Sequence, residues 1–283
     1  MPFIKTQDGT NIFYREFGQG RPVILIHGWP LNGDMWEYQV PALVAGGNRV
    51  ITYDRRGFGQ SDQPWTGYDY DTFADDLAAL IDGLDLRDVS LVGFSMGGGE
   101  IARYIGRHGT ARLSRAVLVS AVTPYMLKTA DNPDGVDRPI FDEIIEGLNE
   151  DRPHFLAGFG KSFFGVGLIS QPVSQEILDW AQVHALKASP KGTIDCVRAF
   201  SETDFRADLA KFDIPTLVIH GDDDQAVPID SSGRLAAKLI RGAVLKEYSG
   251  APHGLFITDK DQLAADLATF VGSGTITEPL RQA

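Results

Sequence analysis

Leu91-Val92-Gly93-Phe94-Ser95-Met96-Gly97-Gly98-Gly99 is the stretch on which the reading of this chain turns. An apolar run from Val89 to Val92 leads in, and a helix-like segment from Glu100 to Arg107 leads out. The pattern reads as strand, very tight turn and helix with Ser95 at the apex, and it fits G-x-S-x-G. Glycines serve that turn physically. The apex is backbone-strained, and neighbouring side chains larger than hydrogen would meet the adjacent strand and helix. The helix that begins after Ser95 offers N–H donors and its positive dipole end to a developing oxyanion. The plain alternative is a Gly-rich turn with an idle serine, so the rest of the chain must decide.

The 283 residues are enough to bury a sizeable core as one α/β unit. A hydrophobic content of 43% with 23% charged residues reads as globular. The net charge of −12 argues against nucleic acid and anionic membranes as partners, and no Lys/Arg run offsets it. Cys196 is the single cysteine, so no internal disulfide can form, which fits a cytoplasmic location. A sulfur-rich zinc site is excluded for the same reason. The start, Met1-Pro2-Phe3-Ile4-Lys5, lacks the charged and apolar parts of a signal peptide. No apolar run approaches the ~18 residues that a membrane span needs.

Outward from Ser95, strands and helices alternate. Pro2–Thr6 and Asn11–Phe17 flank Asp8-Gly9, a hairpin signal. Val23–Ile26 is apolar throughout, as in a strand buried on both faces, and ends in His27-Gly28-Trp29-Pro30. A helix is expected over Asp34–Val44 with Asp34 as N-cap, then a strand over Arg49–Tyr53. Asp71–Leu84 carries Phe73, Leu77, Leu80, Ile81 and Leu84 at helical spacing. With Arg115–Ser120 as a further strand, residues 22–120 imply a parallel sheet with helices on both faces. Residues 122–200 break the pattern with helical stretches, aromatics and prolines, and read as a helical cap inserted into the sheet unit. The alternation resumes at Ile214–Ile219 and ends with a helix over Asp259–Val271. The expected organisation is a core of 1–121 and 201–272, a cap of 122–200 and a flexible tail of 273–283.

A serine hydroxyl needs a base, and the base needs a carboxylate. Ligands of open parallel sheets bind at the carboxyl ends of strands. Ser95, the cluster Asp222-Asp223-Asp224 and His253 each follow a predicted strand, in that chain order. Of six histidines, His108, His154 and His184 fall on helices. His220 directly precedes the acidic cluster and is read as its support, and His27 as packing near the elbow. His253, in a Gly/Pro-rich loop after the last strand, is the base. The carboxylate stays open among the three aspartates.

Here a resemblance emerges. Gly93-Phe94-Ser95-Met96-Gly97-Gly98, Asp54-Arg55-Arg56-Gly57-Phe58-Gly59, His27-Gly28-Trp29-Pro30, Asp224-Gln225-Ala226-Val227-Pro228 and Ala251-Pro252-His253-Gly254 together resemble the cofactor-free haloperoxidase/perhydrolase and arylesterase branch of the α/β-hydrolases. The resemblance spans residues 1–271. It implies an α/β-hydrolase fold, with a mostly parallel, doubly wound eight-stranded sheet and an inserted helical cap, and it selects Asp224 as the third triad member. It implies oxyanion donors at the Trp29 and Met96 N–H groups, no metal and no organic cofactor. Pro30 behind Trp29 is associated in that branch with acceptance of hydrogen peroxide, the Trp29 carbonyl receiving the peroxide's hydrogen bond. The expected activity is hydrolysis of small or aryl carboxylic esters through an acyl-enzyme, with perhydrolysis as a side activity and a homo-oligomer as the assembly. Phe94, Val122, Phe141, Phe159, Phe163 and Val227 are the candidate pocket residues. The alternatives are an amide (γ-lactam) hydrolase on the same triad and a non-catalytic hydrolase-fold receptor.

Overall fold

A computed structural model describes residues 2–273. Its centre is an eight-stranded sheet: β1 (Phe3–Lys5), β2 (Asn11–Phe17), β3 (Arg21–Ile26), β4 (Asn48–Tyr53), β5 (Val89–Phe94), β6 (Leu113–Val119), β7 (Thr216–Gly221) and β8 (Val244–Tyr248). The spatial order is β1-β2-β4-β3-β5-β6-β7-β8. β1–β2 and β2–β4 pair antiparallel and the remaining pairs are parallel. The Asp8-Gly9 turn closes the first hairpin, with Gly9 at φ +90°.

Alternate side chains of the central strands feed opposite faces, so each strand is apolar along its whole length. Ile24 and Ile26 join Phe73, Leu77, Ile101 and Ile105 on one side. These come from α2 (Tyr70–Gly83) and α3 (Met96–His108). Val23 and Leu25 join Leu43, Leu263 and Leu267 on the other, from α1 (Val40–Ala45) and the C-terminal helix Lys260–Ser273. Both faces are thus covered, and cutting a fully buried ring such as Phe73 to alanine removes roughly 3–5 kcal/mol.

Two elements differ from expectation. The helix expected over Asp34–Val44 is two pieces, a 3-10 turn over Gly33–Trp36 and α1. Pro41, in the first turn of α1, has no N–H to continue a helix from Asp34. The cap is Asn32, whose side chain accepts from the Asp34 N–H. The final helix is likewise preceded by a separate turn of helix, Leu255–Thr258. The expected tail, 273–283, lies outside the described residues beyond Ser273, which ends the last helix.

Between β6 and β7 the chain forms α4 (Arg138–Phe163), α5 (Gln175–Leu186), α6 (Pro190–Glu202) and the short α7 (Arg206–Leu209). No strand is assigned there among the described residues. Helix α4 is kinked at Asp151, which has φ −151° and ψ 84°. Pro153 removes one N–H, and the Asp151 carboxylate caps the second half by accepting from the His154 N–H at 3.0 Å. The two halves of α4 therefore meet at this kink. Helices α4 to α6 hang over the carboxyl ends of the strands, where Trp29 meets Phe159 and Phe200 at ring distances of 5.3 and 5.8 Å.

Candidate active site

Ser95 directly follows β5 and immediately precedes α3, with φ +54° and ψ −116°, a backbone state that L-residues rarely hold. The packing around it enforces the turn. A Cβ at Gly93 would stand 2.4 Å from the Gly97 carbonyl oxygen, and one at Gly97 would stand 2.6 Å from the Ile26 carbonyl oxygen. Hydrogen alone fits, so strand, turn and helix stay in contact and Ser95 is lifted above the sheet.

His253 Nε2 lies 3.0 Å from Ser95 Oγ, although 158 residues separate the two. Its Nδ1 lies 2.6 Å from Asp224 Oδ2. Asp224 Oδ1 accepts from the Ala226 and Val227 N–H groups at 3.0 and 2.8 Å, which leaves Oδ2 to the imidazole. The three residues are 3–6% exposed. Burial works against ionisation of Asp224, but the adjoining His253 and the hydrogen bonds from His220 and His253 outweigh it. The carboxyl is held below its ordinary value and stays ionised. An ionised acceptor on Nδ1 fixes the proton there and leaves Nε2 free to accept from the serine hydroxyl.

The neighbouring aspartates hold the loops. Asp222 Oδ1 accepts from the Gly250 N–H at 2.5 Å and thereby ties the β7 loop to the His253 loop. Asp223 accepts from the Gln225 side chain. His220 is fully buried; its Nε2 donates to the Val227 carbonyl at 2.8 Å and lies 3.3 Å from Asp224 Oδ2. It supports the acidic loop as expected, and also touches the carboxylate itself, a contact that the sequence did not disclose.

A charged layer beneath the elbow was also not anticipated. Arg55 Nε donates to Glu100 Oε2 on α3 at 2.7 Å, and its Nη2 donates to the His27 carbonyl at 3.0 Å. Both side chains are at most 1% exposed. Tyr53 donates to the other Glu100 oxygen. Burial first, then the Arg55 charge, hold the pKa of His27 well below 6.5. The neutral ring accepts the Arg55 backbone N–H at Nε2 and donates from Nδ1 to the Gly28 carbonyl, each at 2.9 Å. One arginine therefore links the Trp29 loop to the helix that carries Met96. The signal was present in Asp54-Arg55-Arg56-Gly57, but nothing in that segment names Glu100 as its partner.

Met96 is the first residue of α3, so its N–H has no carbonyl one turn back within the helix. Trp29 lies in the loop after β3, its indole Nε1 donating to the Thr193 carbonyl at 2.9 Å, and the Trp29–Pro30 peptide is cis. In front of Ser95 opens a cavity of about 690 Å³ whose walls include Trp29, Val122, Phe141, Phe159, Val227 and His253. Two expected pocket residues stand elsewhere. Phe94 and Phe163 lie against the His253 ring, each at 4.9 Å between centroids, and wall the imidazole instead of this cavity. Phe94 is drawn there because it alternates onto the face that packs Phe256, 5.1 Å away. Phe163 lines a second cavity of about 210 Å³, which Pro30 and Phe159 also border. Among the described residues no group of three or more His, Cys, Asp or Glu side chains could hold a metal ion.

The family described as alpha/beta hydrolase fold matches residues 21–151 and 180–260. The chain is 51% identical over 273 residues to a non-heme chloroperoxidase of Kitasatospora aureofaciens, covering 96% of this chain and 99% of that protein. It is 39% identical over 277 residues to a bifunctional esterase/perhydrolase of Acinetobacter calcoaceticus, covering 96% and 100%. Among solved structures, a bromoperoxidase of Bacillus anthracis superposes with a TM-score of 0.93 at 50% identity, covering 95% of this chain and 99% of that one.

Proposed function

The chain belongs to the α/β-hydrolase family, and on that premise we propose that it is a serine carboxylesterase that also transfers its acyl group to hydrogen peroxide. The observation that carries this reading is the buried relay from Ser95 through His253 to Asp224, opening on an apolar cavity. Ser95 attacks the ester carbonyl while His253 Nε2 takes its proton. Asp224 stays ionised and holds the imidazolium that forms. The Trp29 and Met96 N–H groups receive the oxyanion; one such donor is typically worth ~10²–10³ in kcat. His253 then returns the proton to the leaving alcohol.

In the second half-reaction water, activated by the same imidazole, releases the acid. Hydrogen peroxide in the same place releases a peracid. Pro30 sets the backbone behind Trp29, and the Trp29 carbonyl is the acceptor for the second peroxide hydrogen. Halogenation, the activity in the chloroperoxidase's name, follows when released peracid oxidises halide. The helices between β6 and β7 act as a cap that sets acyl and alcohol preference. Leu168 and Ile169, fully exposed, and the single cysteine fit a homo-oligomer in a reducing cytoplasm; light scattering after size exclusion tests the assembly.

The decisive experiment is a panel of p-nitrophenyl and alkyl esters, with lactams as a contrast, run with and without peroxide on wild type and Ser95→Ala. Ester turnover that disappears in Ser95→Ala is expected, with peracid formed only when ester and peroxide are both present. Faster turnover of lactams than of any ester would overturn the assignment to esters. An unchanged perhydrolysis-to-hydrolysis ratio in Pro30→Leu would remove the role given to that proline.

A further inference from the structure

The wall of the cavity before Ser95 is mostly hydrocarbon and aromatic, and one member of it carries sulfur. Met126, on the segment after β6, is 2% exposed and shares that cavity with Ser95, Trp29 and His253. Its carbonyl accepts from the Val136 N–H at 2.7 Å, which fixes the segment that presents it. Two other described methionines, Met35 and Met96, are 1% and 0% exposed and lie outside the lining. The thiol of Cys196 is also fully buried outside it, and burial pushes its pKa up, so it is no thiolate sink for an oxidant. An electrophilic oxygen released at Ser95 therefore meets one thioether on the cavity wall.

We propose that Met126 is a self-modification site, oxidised to its sulfoxide by the peracid that the enzyme forms on Ser95. This rests on the perhydrolase reading given above. The Met126 sulfur attacks the outer peroxy oxygen, an S–O bond forms and the O–O bond breaks. The peroxy proton passes to the departing carboxylate oxygen. Sulfur loses two electrons, the peracid gains them, and the products are a sulfoxide and a carboxylic acid. Release within a shared cavity gives the peracid a high effective concentration at this sulfur before it escapes. The product replaces a flexible apolar side chain with a polar one. No change of this kind accompanies hydrolysis alone, so perhydrolysis limits its own enzyme.

The test turns wild type over with ethyl acetate and hydrogen peroxide, in excess free methionine to intercept peracid that has left the protein. Tryptic peptide masses then locate added oxygen. The expected result is one added oxygen at Met126 and none at Met35 or Met96, absent without ester, absent without peroxide and absent in Ser95→Ala. After peroxide is removed, ester hydrolysis by wild type has declined in step with the oxidation, whereas Met126→Leu has kept its own starting rate. Peracid output is measured in parallel. Peracid formed with Met126 unoxidised overturns the inference and leaves the perhydrolase reading standing; no peracid overturns both. Equal oxidation of Met126 in Ser95→Ala shows bulk peroxide as the oxidant and also overturns it.

Discussion

The two regions that meet at Ser95 are built by opposite means. On the sheet side, position is set by backbone and by buried charge. Gly93 and Gly97 bring strand and helix into contact, two N–H groups hold Asp224 Oδ1, and the Arg55–Glu100 pair joins the Trp29 loop to α3. On the helix side, the same cavity is closed by side chains, with Phe159 between Trp29, Phe155 and Phe163 at ring distances of 5.3, 6.2 and 5.7 Å. Backbone and ion-pair constraints have few alternatives, whereas apolar side chains repack. Substitutions below Ser95 should therefore abolish chemistry or stability, and substitutions above it should retune preference.

The largest effect belongs to Ser95→Ala, for which kcat on p-nitrophenyl acetate falls by about 10⁶ with the fold unchanged by circular dichroism. Asp224→Asn follows, with a loss of about 10⁴, because the amide no longer fixes the His253 tautomer. This variant also carries a pH signature. The folded Asp224 value lies below 3.8, so the carboxylate stabilises the protein above about pH 4 and that contribution fades as pH falls through the folded value. Thermal melts of wild type and Asp224→Asn should differ at neutral pH and converge in acid.

Arg55→Met leaves Glu100 buried and unpaired, a cost of about 3–5 kcal/mol that lowers Tm by roughly 10 °C in a thermal melt. Phe159→Ala is the smallest change. Phe159 borders both cavities, so its removal joins them. The kcat/KM ratio of long-acyl over short-acyl esters should rise by about tenfold, with short-ester turnover little altered. A collapse of short-ester activity in Phe159→Ala would erase the contrast between the two regions.

The same contrast governs what the sequence discloses. The strand β3, the elbow at Ser95 and the loop at His253 are legible because periodicity and glycine placement express backbone constraints directly. Asp224 is legible only as one of three, since the choice depends on where the Ala226 and Val227 N–H groups point. Pro41 stands in plain view, but a helix read from an Asp34 N-cap runs straight across it. Arg55 and Glu100 lie 45 residues apart, and charged residues in a sequence read as surface until topology buries them together. Phe94 and Phe163 show the limit for aromatics: composition says that they are inside, but only packing says that they face His253 and not the cavity.

The most direct measurement is mass spectrometry of the intact enzyme, quenched in acid during turnover of p-nitrophenyl acetate. The account predicts one added acetyl group, mapped to the peptide that contains Ser95, missing in Ser95→Ala and cleared faster when peroxide is added. Acetyl on another residue, or full turnover by Ser95→Ala, would contradict it.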